Sequence, residues 1–93
     1  MTTHTFTYHP QILDELAGHG LRPSPATPPT FLRDAVRELY KYEIKQRRAQ
    51  LRAGRFLKSA YAGHIVELRK RYWILSVPTD RWLLPPGGAP SVP

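Results

Sequence analysis

The stretch TFLRDAVRELYKYEIKQRRAQLRAG, Thr30 to Gly54, decides the fold. It has no proline and no interior glycine. Leu32, Ala35, Val36, Leu39 and Tyr40 recur at the spacing of one helix face, with Phe31 and Ile44 at its margins. Thr27 or Thr30 suits the N-cap, and Pro28 or Pro29 suits the first helical position, where a missing N–H is harmless. Gly54 supplies the stop after about Ala53. At 1.5 Å per residue such a helix is roughly 36 Å long.

Toward the C-terminus, Gly54 to Lys58 is a short linker to a second amphipathic segment running from Ser59, a candidate cap, to about Tyr72. Tyr61, Ile65, Leu68 and Tyr72 stand at i, i+4, i+7 and i+11, one face of a helix. Gly63 inside it costs about 1 kcal/mol relative to Ala. The shortness of the linker predicts an antiparallel helical hairpin. Trp73–Val77 (WILSV) reads as a short strand or a hydrophobic flap closed by Pro78, and residues 85–93 as a disordered proline- and glycine-rich tail.

Toward the N-terminus, RPSPATPP at residues 22–29 is a stiff connector that neither continues a helix nor enters a sheet interior. Before it, Pro10–Ala17 reads as a short helix with an Ile12, Leu13, Leu16 stripe, ended by Gly18 and Gly20. Thr2–Tyr8 alternates weakly and suggests a short edge strand or an extended arm. The expected fold is therefore all-α: a long antiparallel helical hairpin braced by a short N-terminal helix, with extended termini, in one domain over residues 1–84. Ala17–Pro25 (AGHGLRPSP) resembles the first turn of winged-helix metal-dependent repressors. The next helix is far longer than that family's, and no Cys or His cluster follows, so the resemblance implies no membership.

Charge supplies the functional clue. The chain has 14 Lys and Arg against 7 acids, a net +7. Twelve of those cations lie between Arg33 and Arg71, with only Asp34, Glu38, Glu43 and Glu67 among them, a local +8. Arg33, Arg37, Lys41, Lys45, Arg48 and Arg52 are spaced 4, 4, 4, 3 and 4 apart, which puts them on one arc beside the apolar face. Cations at one-turn spacing suit a phosphate backbone, and arginine adds bidentate geometry. Between Glu43 and Glu67 there is no acid, while Lys45, Arg47, Arg48, Arg52, Arg55 and Lys58 all fall there. Unpaired like charges repel, so stability alone would not choose this pattern. Arg69, Lys70 and Arg71 offer a second basic lobe. On the inward arc of the helix's second half stand Glu43, Gln46, Arg47 and Gln50. Either the core contact lapses after Ile44, or a Glu43–Arg47 pair meets a polar group such as His64.

Other chemistry finds little footing. No cysteine is present, which removes disulfides, thiolate catalysis and cysteine-bound zinc, and fits a reducing compartment. His4, His9, His19 and His64 form no i, i+4 pair. No serine sits in a Gly-x-Ser-x-Gly setting, and no Gly-rich phosphate loop follows a strand. An enzyme is not expected, and no cofactor is implied. No apolar run approaches the roughly 20 residues of a membrane span, and Thr2–Pro10 lacks the features of a secretory signal, so a cytoplasmic protein is expected. Tyr40, Tyr42, Tyr61, Tyr72, Trp73 and Trp82 offer rings that could stack on bases, as in single-strand binders, but at helical spacing they read rather as core, which Tyr42 and Trp82 fit least. Trp73 and Trp82-Leu83-Leu84 offer apolar docking points.

These features point to non-catalytic binding of nucleic acid, DNA or structured RNA, through Arg33, Arg37, Lys41, Lys45, Arg47, Arg48, Arg52 and Arg55, aided by Arg69, Lys70 and Arg71. The alternative is a small accessory or assembly subunit whose basic face docks on an acidic surface of a larger protein complex. A peripheral membrane binder is the weaker third reading, because aromatics and cations do not share one amphipathic helix.

Overall fold

The computed structural model describes residues 5–84. The tail expected over 85–93, and the first part of the expected N-terminal arm, lie outside the described residues. Among the described residues three α-helices form: α1 (Pro10–Gly18), α2 (Pro29–Arg52) and α3 (Lys58–Arg71). Two 3₁₀ turns follow, Trp73–Ser76 and Thr79–Trp82. As the periodicity predicts, α2 is the 24-residue spine and α3 packs back along it as the second limb of a hairpin.

The starts of α1 and α2 follow from proline, and none of the three helices has a side-chain cap. Pro10 and Pro29 occupy first-turn positions of α1 and α2. The residue before α2 is Pro28, at φ −68° and ψ 143°, and it has no side-chain oxygen to offer. Thr27 is therefore not the cap: its Oγ1 accepts from the Ser24 amide at 3.0 Å, closing the turn of the connector. Nor is Ser59 the cap of α3, which begins one residue earlier, after Leu57. The helix ends do use glycine. Gly20 (φ 80°) and Gly54 (φ 72°) adopt the left-handed conformation. At each, the following amide bonds back over the helix end: Leu21 N–H to the Leu16 carbonyl at 2.8 Å, and Arg55 N–H to the Gln50 carbonyl at 2.9 Å. This is the Schellman closure, and it requires φ > 0 where a Cβ would be strained.

The buried core comprises Tyr8, Ile12, Leu16, Leu32, Val36, Leu68, Tyr72, Ile74 and Trp82. Every one of them lies toward the end of the hairpin where α2 starts and α3 finishes. Beyond Val36 no residue of α2 is fully buried, and before Leu68 none of α3 is. The far half is thus a two-helix arm held by half-buried Ile44 and Ile65, with Phe56 at its turn stacked on His64 at a centroid distance of 4.3 Å. The molecule extends 55 × 34 × 17 Å with a radius of gyration of 16.9 Å, against about 13 Å for a compact chain near this length.

Two expectations for the C-terminal segment are corrected. Trp73–Val77 is not a strand: residues 73–76 form a 3₁₀ turn that packs on α2 and sets Ile74 in the core, as a hydrophobic flap over the hairpin would. Trp82 is not an exposed docking residue. The second 3₁₀ turn buries its ring completely, and its indole Nε1 donates to the Val77 carbonyl at 3.0 Å, so its polar atom is satisfied inside. The extended ends meet beside it in a single antiparallel bridge, Tyr8 to Leu83, flanked by His9 N–H to Trp82 O at 3.0 Å and Leu84 N–H to Thr7 O at 2.8 Å. Leu83 and Leu84 are half-buried there rather than presented outward.

Candidate nucleic-acid interface

The basic residues divide into two groups by their surroundings. Near the core, several cations already have partners. Arg71 donates from Nη1 to Glu43 Oε1 at 3.1 Å. Lys70 stands 3.7 Å from Glu67, and Lys41 stands 3.5 Å from Glu38. Arg33 and Arg37 are half-buried, and the Nε of Arg33 is enclosed without a hydrogen-bond partner. Arg47 is likewise half-buried, although it stands on the arm between Lys45 and Arg48. It lies in line with Val36 and Glu43 on the inward arc, its Nε is enclosed, and its Nη1 donates to Gln50 Oε1 at 3.3 Å.

The second group occupies the far arm. Lys45, Arg48, Arg52, Arg55 and Lys58 are all exposed, and no acid among the described residues lies within 4.0 Å of any of them. Lys45 to Arg52 covers two helical turns of α2, about 10 Å of axis. Gly54 then turns the chain, and Arg55 and Lys58 add their charges at the tip. Five exposed cations along this arm with no ion-pair partner raise the local positive potential, which favours mobile anions there. Arg69 is likewise exposed and without an ion pair, but it stands at the other end of the hairpin.

The structure thus brings together Lys45, Arg48, Arg52 and Arg55 from the sequence-predicted set, and separates them from Lys70 and Arg71, which are occupied by Glu67 and Glu43. Lys58 was not among the predicted interface residues. Its signal was there in the acid-free run between Glu43 and Glu67, which it shares. Of the two alternatives for the inward arc, the Glu43–Arg47 pair does not form, and the buried contact does lapse along the second half of α2. Glu43 turns to α3 instead, accepting from Arg71 and from the Tyr72 hydroxyl, while His64 packs on Phe56. Burial, with the Glu43 hydrogen bond and negative charge behind it, holds the Tyr72 hydroxyl protonated well beyond the usual tyrosine range, against the opposing pull of Arg71.

A second feature was missed by sequence reasoning. Tyr40, Arg69, Tyr72, Trp73, Leu75 and Ser76 line an open depression of about 400 Å³ on the core end of the hairpin. Trp73 is 39% exposed at its edge, whereas Trp82 is 0% exposed. Only the 3₁₀ turn after α3 puts Trp73 beside Tyr40, and hydrophobic periodicity carries no trace of that turn.

Among the described residues, no three His, Cys, Asp or Glu side chains converge on a point that would hold a metal ion. No described helix is long and apolar enough to cross a membrane. Comparison with known protein-family models gives no match, and comparisons with curated proteins and with solved structures likewise give none.

Proposed function

We propose that this protein binds nucleic acid, DNA or structured RNA, without catalysis, by laying the cationic arm of its hairpin against the phosphate backbone. One observation carries the reading: Lys45, Arg48, Arg52, Arg55 and Lys58 converge on an exposed arm with no acid in reach. A charged face kept only for solubility is ordinarily interlaced with opposite charge at i, i+3 or i+4, as Lys41 and Lys70 are here. The contacts are mainly to phosphate, which position the protein without reading bases.

The test is a fluorescence-anisotropy titration of the full chain, freed of co-purifying nucleic acid, against duplex DNA and a structured RNA at several salt concentrations. Five neutralised phosphates give a log–log salt slope of roughly −4.5 on duplex DNA. Reversing Arg48 and Arg52 to Glu weakens binding uniformly across sequences and flattens that slope by about 2. Binding that disappears by about 0.15 M salt would overturn the reading.

A second reading is favoured by a different observation. Phe31 and Tyr42, eleven residues apart and so on the same outer side of α2, are 66% and 61% exposed. They suit an accessory subunit whose cations and exposed rings meet an acidic protein surface. This reading gains if nucleic-acid binding fails while Tyr42→Ala and Arg48→Glu both release a co-purifying protein.

A further inference from the structure

We propose that the depression between Tyr40 and Trp73 receives an unpaired nucleobase, so that this protein prefers single-stranded nucleic acid, or the unpaired loop of a folded one, over a continuous duplex. The inference rests on the phosphate-binding reading above and adds to it the class of strand.

The chemistry of the depression matches a nucleotide in two parts. Its apolar side consists of the Tyr40, Tyr72 and Trp73 rings with Leu75, and its cation is Arg69, one helical turn before Trp73. Aromatic faces take a base by stacking, and an adjacent arginine takes the phosphate or stacks in its turn. Arg69 has no ion pair among the described residues, unlike its neighbours Lys70 and Arg71. At about 400 Å³ the depression is within the range of small-ligand sites.

The wall is set before any ligand arrives. The Tyr72 hydroxyl is held by Glu43, its ring stacks on His19 at 4.5 Å and 16°, and Tyr40 leans against it at 5.3 Å and 55°. A rigid aromatic wall binds without a large ordering cost. Little on it discriminates among bases. The Ser76 hydroxyl is taken up by the Trp73 carbonyl at 2.6 Å, which leaves stacking, tolerant of sequence, as the dominant contact.

Position links the depression to the cations. On α2, Arg37 and Arg48 lie about 60° and 80° from Tyr40 around the helix, on the side away from Glu43. Because α3 is antiparallel, Arg69 faces that same side, and Arg71 with Glu43 occupies the other. A strand whose phosphates follow Arg48 and Arg37 down α2 therefore passes the mouth of the depression. A duplex keeps its bases stacked inside and has none to offer.

The two tryptophans make this readable. Trp82 is wholly buried, so ligand-dependent quenching of intrinsic fluorescence reports Trp73. The full chain is titrated with single-stranded oligo(dT) and with a duplex of equal length. The variants are Trp73→Ala, Trp73→Phe and the double reversal of Arg48 and Arg52 to Glu, each checked for folding by circular dichroism. The expected result is quenching by the single strand, a preference for it of about tenfold or more, and a loss of 5- to 100-fold on Trp73→Ala that Trp73→Phe largely restores. Duplex affinity stays unchanged in both Trp73 variants. Equal affinity for the two ligands, with Trp73→Ala indifferent to both while the charge reversal weakens both, overturns the base pocket and leaves the phosphate reading standing. No binding of either ligand by the wild-type protein overturns the two together.

Discussion

Glu43 on α2 and Arg71 on α3 join across the hairpin, Nη1 to Oε1 at 3.1 Å, although 28 positions separate them in the chain. The neighbouring Tyr72 donates its hydroxyl to the other carboxylate oxygen, so both oxygens of Glu43 are used. This clasp sits where the buried core gives way to the arm. Glu43→Ala should cost about 1–2 kcal/mol, more than a surface ion pair, because it leaves the Tyr72 hydroxyl unpaired. Chemical denaturation of Glu43→Ala, Tyr72→Phe and the double variant forms a cycle, and a coupling energy near zero would show that the clasp contributes nothing.

The two tryptophans should behave oppositely. Trp82→Ala empties the largest fully buried side chain and strips the Val77 carbonyl of its donor, a loss of about 3–5 kcal/mol that a domain this small can scarcely absorb. Trp73→Ala should leave the thermal midpoint far less altered. Equal losses would mean that Trp73 carries core packing of the same weight.

Glycine substitutions separate a used backbone from an unused one. A methyl group on Gly63, within α3, meets nothing within 4 Å. Gly63→Ala should therefore stabilise the protein by up to about 1 kcal/mol, raising the midpoint by roughly 4–8 °C. Gly54 also has open space around it, but its φ of 72° penalises any Cβ, and Gly54→Ala should cost about 1–2 kcal/mol. Differential scanning calorimetry on the two variants should give shifts of opposite sign.

Alkaline pH should expose the two buried phenols. Burial pushes the Tyr8 hydroxyl up, and burial together with Glu43 pushes Tyr72 up further. A raised acid in the native state favours the protonated form, so the stabilisation is complete below the unfolded tyrosine value of about 10 and drains away as pH rises past it. In a spectrophotometric titration of the five tyrosines, Tyr72 should ionise only as the protein unfolds, and Tyr8 should ionise later than an exposed tyrosine. Tyr72→Phe should retain a larger fraction of its neutral-pH stability at alkaline pH than the wild type does.

Arg47 and Arg52 should part company as well. Arg47 is half-buried on the inward arc and Arg52 is exposed on the arm. Arg47→Ala should lower stability, measurable by urea denaturation, whereas Arg52→Ala should leave stability within about 0.5 kcal/mol and lower nucleic-acid affinity. The reverse pattern would move the interface to the other side of α2.

The hairpin was legible because its signals are local. Pro29, Gly54 and the apolar recurrence from Leu32 to Tyr40 set the spine of α2 without reference to anything distant, and Tyr61 to Tyr72 did the same for α3. Trp82 was not legible. Its burial depends on two consecutive 3₁₀ turns, each too short to leave a periodic pattern, and on Tyr8 arriving from the opposite end of the chain. The cation row was visible from spacing alone, but its division was not. Which arginines stay free depends on where Glu43 turns, and that choice is made by Arg71 and Tyr72 across the hairpin. Counting charge along the acid-free run puts Arg47 among the interface residues, although the helix wheel sets it in line with Val36.

The confinement of the core to one end means that the backbone amides of this molecule should not share a single exchange rate with solvent. Protection should be highest around Leu32–Val36 and Leu68, where opening requires global unfolding, and should decline along α2 toward Arg52, where loss of a few half-buried contacts suffices. The cations at the far end would then ride on helical turns that melt and reform while the rest of the protein stays folded. A polyanion arriving there would tighten those turns, so the first sign of its binding in hydrogen–deuterium exchange should be slower exchange around Arg48–Lys58, with Leu68 unchanged.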